Sequence, residues 1–427
     1  MPPIEDHPLR YELSNELHAR PFPTVGAEAE AIWLAIKRPN DAAARDREAD
    51  RQHLLALLDR HGAQHPQPGA THYSGKIGRH DLKWESHTEF VTYTILSAGL
   101  GERPFDPAIW AALPEDWLAA APGQRITSAQ VRILRRPGND ATITQALRDW
   151  FEPESLAASA VLDDSAVIAS DFRVDAGGHM RFAIFAGAGT GPARIGRILQ
   201  RLCEVETYKA MAMLGLPRAR DLNAAMARID GGLSALLDEM SQETAAPEAA
   251  LEQLLTLATD LETLMSRAAF RFGATGAYEA IVNQRVQVLR ENRFNGHQTF
   301  AEFMMRRFDP AMRTVKSTER QLRSMTDRAQ RASDLLRTKV EVGRSAQNQE
   351  VLASMDRRAA LQLRLQETVE GLSVVAISYY GVNLLAYLLA PLAYRTGIEK
   401  PTLTALLVLP VIAAVWLLTR RIRKAMH

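Results

Sequence analysis

Two long apolar segments near the end of the chain constrain the fold most. The first, "SVVAISYYGVNLLAYLLAPLAY" at 373–394, contains no Lys, Arg, Asp or Glu, and the second, "PTLTALLVLPVIAAVWLLT", covers 401–419. A helix needs ~20 apolar residues to cross a bilayer, whereas a helix in a soluble core shows a polar face. The six residues 395–400 between the segments allow only a tight turn. The sequence therefore predicts a transmembrane helical hairpin over 371–419.

Basic residues flank this hairpin on both sides. They are Arg357, Arg358 and Arg364 before it, and Arg420, Arg421, Arg423 and Lys424 in the basic tail 420–427. Segments rich in Lys and Arg stay on the cytoplasmic side of a membrane. We therefore expect a multi-pass protein with both termini in the cytoplasm and the lipid bilayer as a partner. The N-terminus lacks the apolar core of a secretory signal, so we expect no cleaved leader.

One polar residue, Asn383, interrupts the first apolar segment. An amide at mid-membrane depth is costly unless it finds a hydrogen-bond partner. Asn383 either contacts the second segment or another copy of the chain, or bonds to the backbone of its own helix. Together with Tyr380 and Gly381 it forms a candidate helix-contact or pore-lining site.

Residues 1–190 mix strand and helix patterns, which predicts a mixed α/β cytoplasmic domain. The segment 41–62 reads as a helix whose apolar seam is Leu54, Leu55, Leu57 and Leu58. The alternating segment 78–96 predicts a half-buried strand or a hairpin, and 130–136 predicts another strand. Residues 156–185 predict a small antiparallel meander.

From Pro192 to Glu370 the apolar period becomes helical. We expect breaks at Leu216-Pro217, Ala246-Pro247, 273–276, Asn295-Gly296 and Asp309-Pro310. A heptad-like seam at Val315, Leu322, Met325, Ala329, Ala332 and Leu336 predicts coiled-coil packing, within the chain or between copies. The predicted fold class is thus α+β and predominantly helical: a domain over 1–190, a helical domain and stalk over 191–370, and the hairpin. The seam also favours a homo-oligomer.

Two local patterns are candidates for chemistry. Glu85, His87 and Glu89 alternate along a predicted strand, which would place them on one side as metal ligands or proton carriers. A solvated face of an antiparallel strand has the same pattern. The second pattern, "FAIFAGAGTGPARIG" at 182–196, resembles a dinucleotide loop, but Pro192 stands at the third glycine position. We expect a turn there, capped by Thr190 or Gly191, and no cofactor.

Charge and cysteine content exclude several classes of protein. The net charge of +1 favours no polyanionic partner, and the single Cys203 permits no internal disulfide. The segment 306–344 carries eleven basic and five acidic residues. Anionic headgroups or nucleic acid could dock there, or the charges form a solvated helix face. Because interleaved aromatic residues are missing, nucleic acid is not expected.

Five sequence blocks carry a resemblance to a known family. They are "HPLRYELSNELHARPFP" (7–23), "KWESHTEFVTYT" (83–94), "SDFRVD" (170–175), "RLCEVETYKAMAMLGLPRAR" (201–220) and "LSVVAISYYGVNLLAYL" (372–388). Together they resemble a bacterial family of uncharacterised membrane-anchored proteins, the domain-of-unknown-function family numbered 3422. The resemblance implies a membrane protein with a large soluble part, placed in the bacterial inner membrane. It supplies no activity and no site residues.

A second resemblance is architectural. An α/β domain, long helices and two C-terminal spans are similar to the two-helix magnesium transporters, in which Gly-Met-Asn follows a Tyr. Here Tyr380 and Gly381 precede Val382 and Asn383, and the acidic outer loop is reduced to Glu399. The sequence therefore leaves three hypotheses. One is a non-enzymatic, cytoplasm-facing scaffold or sensor that self-associates through its stalk, with an unknown protein partner. Another is an oligomeric cation channel or transporter. The third is an enzyme that uses Glu85, His87 and Glu89.

Overall fold

A computed structural model describes residues 4–11, 13–14, 21–40, 42–240, 247–396 and 399–426. The chain divides into two compact units. The first unit comprises residues 1–243 and 252–332, and the second comprises 244–251 and 333–427. The boundary predicted at residue 190 lies inside the first unit.

A sheet of nine strands forms the centre of the first unit. The strands are β1 (Ala29–Lys37), β2 (His72–Ile77), β3 (His80–Ser86), β4 (Phe90–Ala98), β5 (Gln124–Arg135), β6 (Ala157–Val161), β7 (Ala166–Ser170), β8 (Met180–Ala186) and β9 (Asn292–Arg293). Their order is β2-β3-β4-β1-β5-β8-β7-β6-β9. The β3–β4 hairpin and the β6–β7–β8 meander confirm the predictions for 78–96 and 156–185. The parallel pairing of β5 with β8 was not predicted.

Nine α-helices make up most of the remaining described residues. They are α1 (Arg47–Arg60), α2 (Glu115–Ala119), α3 (Asp140–Trp150), α4 (Pro192–Met213), α5 (Gly215–Met240), α6 (Pro247–Gln287), α7 (Phe300–Arg307), α8 (Asp309–Thr396) and α9 (Lys400–Met426). The mixed α/β sheet domain and the mostly helical remainder confirm the coarse fold class.

Local signals explain where several helices begin. The Asp46 side chain accepts a hydrogen bond from the Glu48 backbone, so α1 begins at Arg47 instead of at residue 41. At the glycine-rich turn, Gly191 is the N-cap and Pro192 occupies the first turn of α4, as predicted. The Thr190 hydroxyl donates to the Ser165 carbonyl at 2.5 Å, which ties this turn to β7.

The predicted helix breaks are mostly correct, but the break at 273–276 is wrong. Helix α6 continues through Gly273 and Gly276, because Phe272 before them and Thr275 between them are buried in the first unit. Gly215 of α5 lies so close to Thr275 that an added Cβ would meet its hydroxyl at 2.4 Å. Tertiary packing thus outweighs the low helix propensity of glycine. The break expected at Ala246 lies outside the described residues.

Both faces of the sheet are covered. On β1, Ala31 and Trp33 point into a core shared with α4, α6 and α7, whereas Ile32, Leu34 and Ile36 point into a core shared with α1 and α2. Helix α3 covers the other half of that second face. Cys203 lies in the first of these cores, where burial raises the pKa of its thiol. It is a packed thiol.

The second unit contains most of α8 and all of α9. These two helices are long and apolar enough to cross a membrane, and only 17% and 6% of their most apolar windows are buried. From Glu341 to Val369 every residue of α8 except Ser354 is exposed. Residues 397–398 of the predicted turn, and the terminal His427 of the basic tail, lie outside the described residues.

His53 generates a prediction about pH. Its imidazole is buried, stacks on Trp117 at 3.9 Å, and contacts the Tyr93 hydroxyl at 2.9 Å. Burial lowers the pKa of His53, while the Trp117 carbonyl opposes this shift. The unfolded chain therefore binds a proton that the folded chain excludes, so stability is lost as pH falls below about 6.5.

We expect the free energy of unfolding to fall between pH 7 and pH 5. His53→Gln should reduce the slope by up to about 1.4 kcal/mol per pH unit, the value for one proton. Urea unfolding of the full chain in detergent, followed by tryptophan fluorescence, measures it. An unchanged slope in His53→Gln would contradict this assignment.

Candidate functional site

The three residues singled out on the predicted strand do not share one strand face. Strand β3 ends at Ser86, so only Glu85 belongs to it, and His87 and Glu89 lie in the turn that leads to β4. The expectation of a solvated face is wrong, because Glu85 and Glu89 are buried. The His87 ring stacks on Phe90 at 4.4 Å between ring centres. Among the described residues no three His, Cys, Asp or Glu side chains are placed to hold a metal ion.

Glu89 is the best-connected residue of this turn. Its carboxylate forms an ion pair with Arg271 and accepts a hydrogen bond from the Tyr278 hydroxyl at 3.0 Å, both from α6. Burial, and then the Glu89 charge, raise the pKa of Tyr278. Burial and the Arg271 charge lower the pKa of Lys37 at the end of β1, and the Glu89 charge opposes this. The turn thus carries a buried charged cluster fixed by α6.

The Arg45 side chain bonds to the backbone of the same turn. The guanidinium donates to the His87 carbonyl at 2.6 Å and to the Phe90 carbonyl at 3.2 Å, and it also donates to the Thr88 carbonyl. Its Nε donates to Asp50 at 2.6 Å. Burial raises the pKa of Asp50, and the bond from Arg45 opposes the shift. The β3–β4 turn is therefore held in two ways. Arg45 bonds to its backbone carbonyls, and two α6 side chains, Arg271 and Tyr278, bond to the Glu89 carboxylate.

A second set of polar contacts connects the sheet to two helices. On β3, Lys83 lies 3.1 Å from Glu85 and donates to the side-chain amide oxygen of Gln200 on α4 at 2.8 Å. The Gln200 amide donates to Glu204 at 2.8 Å, and Glu204 pairs with Arg285 of α6 at 2.5 Å. Both carboxylates in this series of contacts, Glu85 and Glu204, already pair with a cation. The arrangement therefore orders the helices on the sheet. It is not an open site for a metal or a substrate.

Sequence reasoning found Glu85, His87 and Glu89 but missed Arg45, Arg271 and Tyr278. The two α6 residues are seven apart in sequence, which places them on one helix face, and that spacing is the only local signal.

The basic stretch 306–344 is partly paired as well. Lys316 pairs with Glu279 at 2.7 Å and Arg328 pairs with Asp230 at 2.8 Å.

In the second unit, the residues named as a membrane site have different environments. Gly381 faces α9 so closely that an added Cβ would lie 3.1 Å from Val411. Asn383 donates to the Tyr379 carbonyl of its own helix at 3.0 Å, which corresponds to the local alternative. The Tyr380 side chain is exposed. Beside them, the buried Ser378 hydroxyl has no partner among the described residues and lines an apolar cavity of about 410 Å³.

The sequence model of one family, described as "Protein of unknown function (DUF3422)", matches residues 5–426, and the chain belongs to this family. No curated protein and no solved structure matches the chain. The resemblance to two-helix magnesium transporters therefore receives no support from these comparisons.

The Glu89–Arg271 pair generates a stability prediction. Arg271→Met leaves the buried Glu89 carboxylate with the Tyr278 hydroxyl as its one remaining side-chain donor among the described residues. Breaking a buried pair in this way costs about 3–5 kcal/mol. Adding Glu89→Gln to that variant removes the uncompensated charge and should restore part of the loss. Five of the six tryptophans lie in the first unit, so its urea transition can be followed by fluorescence.

Arg323→Met is the matched control, because Arg323 pairs with Glu319 on the exposed surface of a helix. We expect it to cost less than about 1 kcal/mol. Equal losses in Arg271→Met and Arg323→Met would show that the turn does not depend on its charged cluster.

Proposed function

We propose that this chain is a non-enzymatic, membrane-anchored scaffold or sensor whose α8 stalk associates with a second copy. In this proposal α8 and α9 form a hairpin in the bacterial inner membrane, and the sheet domain faces the cytoplasm. The observation that carries it is the segment 341–369 of α8, which bears an apolar stripe and in which every residue except Ser354 is exposed.

The surfaces of the last two helices support the anchor. Leu384, Leu388 and Leu409 are 69%, 76% and 76% exposed, although each is a large apolar side chain. Apolar surface of this extent is typical of a helix that contacts lipid. The close approach of Gly381 to Val411 supports a hairpin, since small residues let membrane helices pack closely.

The ends of these helices carry groups suited to a membrane surface. The Arg420 guanidinium lies 5.1 Å from the Trp416 ring centre, and the Lys400 ammonium lies 5.2 Å from that of Tyr387. Aromatic rings and long basic side chains accumulate where a membrane meets water. Such pairs at both ends of α9 support its placement across a bilayer.

The stalk argument depends on the period of the α-helix. Positions 36 residues apart share one face, because a helix has 3.6 residues per turn. The buried seam residues Val315, Met325, Ala329 and Leu336 correspond on this basis to Val351, Leu361, Leu365 and Leu372. These last four are exposed. Four of the six seam positions thus recur ten turns later as exposed apolar residues, whereas Leu322 and Ala332 correspond to Arg358 and Thr368.

A second copy is the occupant that best suits this stripe. Copies anchored in one membrane by the same hairpin hold their stalks parallel, so equal residues meet side by side. Val351, Leu365 and Leu372 are then separated by multiples of seven, the spacing of a coiled-coil seam. Arg358 occupies the remaining position of that series, and a polar residue there fixes register and weakens the interface.

The mass of the protein–detergent complex, measured by light scattering, tests self-association. We expect the full chain to contain at least two copies. Leu361→Glu with Leu365→Glu should shift it to monomer, because four carboxylates would face one another across each dimer. The control is Ala353→Glu with Ala360→Glu, which adds the same charge on the opposite side of the helix.

A monomeric wild-type chain, or equal effects of the two double variants, would overturn the proposed association. A closed ring of several copies would instead favour the cation-channel alternative. Flux through proteoliposomes, compared between the wild type and Asn383→Ala, would then decide that question.

The orientation gives a separate prediction. In a Cys203→Ala background, a membrane-impermeant maleimide added to the outside of cells should label Glu399→Cys but not Gln362→Cys, because only the turn lies outside. After cell lysis both positions should react. Labelling of Gln362→Cys in intact cells would reverse the proposed orientation.

A further inference from the structure

A pocket of about 290 Å³ opens at one end of the sheet in the first unit. It lies where β1 ends and where β5 and β8 begin. Leu34 and Ile36, which are almost fully buried, line it together with Leu118. The volume lies just below the ~300–1,000 Å³ typical of ligand sites, so it suits a small molecule.

A stacked aromatic pair forms one wall of this pocket. The Trp110 and His179 rings lie 3.8 Å apart at an angle of 14°. The Ser128 hydroxyl contacts His179 Nδ1 at 2.8 Å, which fixes the imidazole plane. Leu34 and Ile36 add apolar lining to the same pocket. Such a surface favours a planar, apolar molecular body.

Trp110, which lines the pocket, also carries an unsatisfied hydrogen-bond donor. The Trp110 indole Nε1 is shielded from solvent, yet no acceptor lies within reach among the described residues. A buried donor without an acceptor costs about 1–3 kcal/mol, and native proteins rarely leave one unpaired. An acceptor atom brought by a ligand would remove that cost.

A cation lies at the rim. Arg125 is exposed, and no carboxylate of the described residues pairs with it. Its charge reaches the pocket, since burial first and then Arg125 lower the pKa of His179, while Asp175 opposes them. Guanidinium groups bind carboxylates through two parallel hydrogen bonds. The rim is therefore complementary to an anion.

We infer that this pocket binds a small aromatic or conjugated carboxylate. The carboxylate would pair with Arg125, the planar body would lie against Leu34, Ile36 and the aromatic wall, and an oxygen atom of the ligand would accept the Trp110 N–H. This site does not depend on the proposed membrane anchor or on self-association, so either conclusion can fail without the other.

Calorimetric titration of the full-length chain in detergent tests the inference. The probes are benzoate and phenylacetate, with benzamide and inorganic phosphate as comparators. We expect saturable binding of a carboxylate probe at concentrations up to ~10 mM, and at least about tenfold weaker binding of benzamide and phosphate. Benzamide lacks the charge and phosphate lacks the apolar body.

Variants then locate the binding. Arg125→Gln should weaken carboxylate binding about tenfold or more, and Trp110→Phe, which keeps the ring but loses the donor, should weaken it about threefold to tenfold. Arg135→Gln is the matched control, because Arg135 is an exposed arginine at the other end of the same strand. No saturable binding of either carboxylate, or unchanged affinity in Arg125→Gln, would overturn the inference.

Discussion

The burial of both sheet faces is the constraint on which the first unit depends. A polar side chain on a covered face must find a partner, and here the partners lie far away in sequence. Lys83 reaches Gln200, 117 residues later, and Glu89 reaches Arg271, 182 residues later. Removing Gln200 or Arg271 takes away a partner of a buried charge, so the sheet and the helices α4 and α6 stabilise one another. This interdependence explains why residues far beyond 190 belong to the same compact unit.

Local features of this fold were predictable from sequence, whereas the surroundings of each element were not. The meander, the β3–β4 hairpin and the start of α4 follow from turn residues and period. Alternation over 81–89 indicates two strand faces, but it does not indicate what covers the polar one. Arg271 has no local signal that separates it from an ordinary surface arginine of a helix. The sequence therefore identified the acidic residues of the candidate site, Glu85 and Glu89, but not the basic residues Arg45 and Arg271.

The glycine pattern at 273–276 and the apolar pattern at 341–369 both gave incomplete predictions, because neither shows which residues are buried in the fold. Gly273 and Gly276 read as a break, yet α6 continues because burial of Phe272 and Thr275 outweighs the weak propensity. In 341–369 every residue except Ser354 is exposed, and the helix depends on its own propensity over about eight turns. The sequence shows the apolar stripe of that segment but not what covers it.

The composition of the stripe fits an association that is reversible. In the proposed parallel pair, two Arg358 side chains would face one another between the apolar positions 351 and 365, and their repulsion would offset part of the burial energy. In this proposal the membrane anchor would compensate for this loss, because confinement to one membrane raises the effective concentration of stalks without any new contact. A weak interface therefore suffices at high copy density and separates at low density. For a scaffold or sensor this balance is useful, since the extent of association then responds to small changes in the energy of either copy. An uninterrupted apolar seam would remove that response.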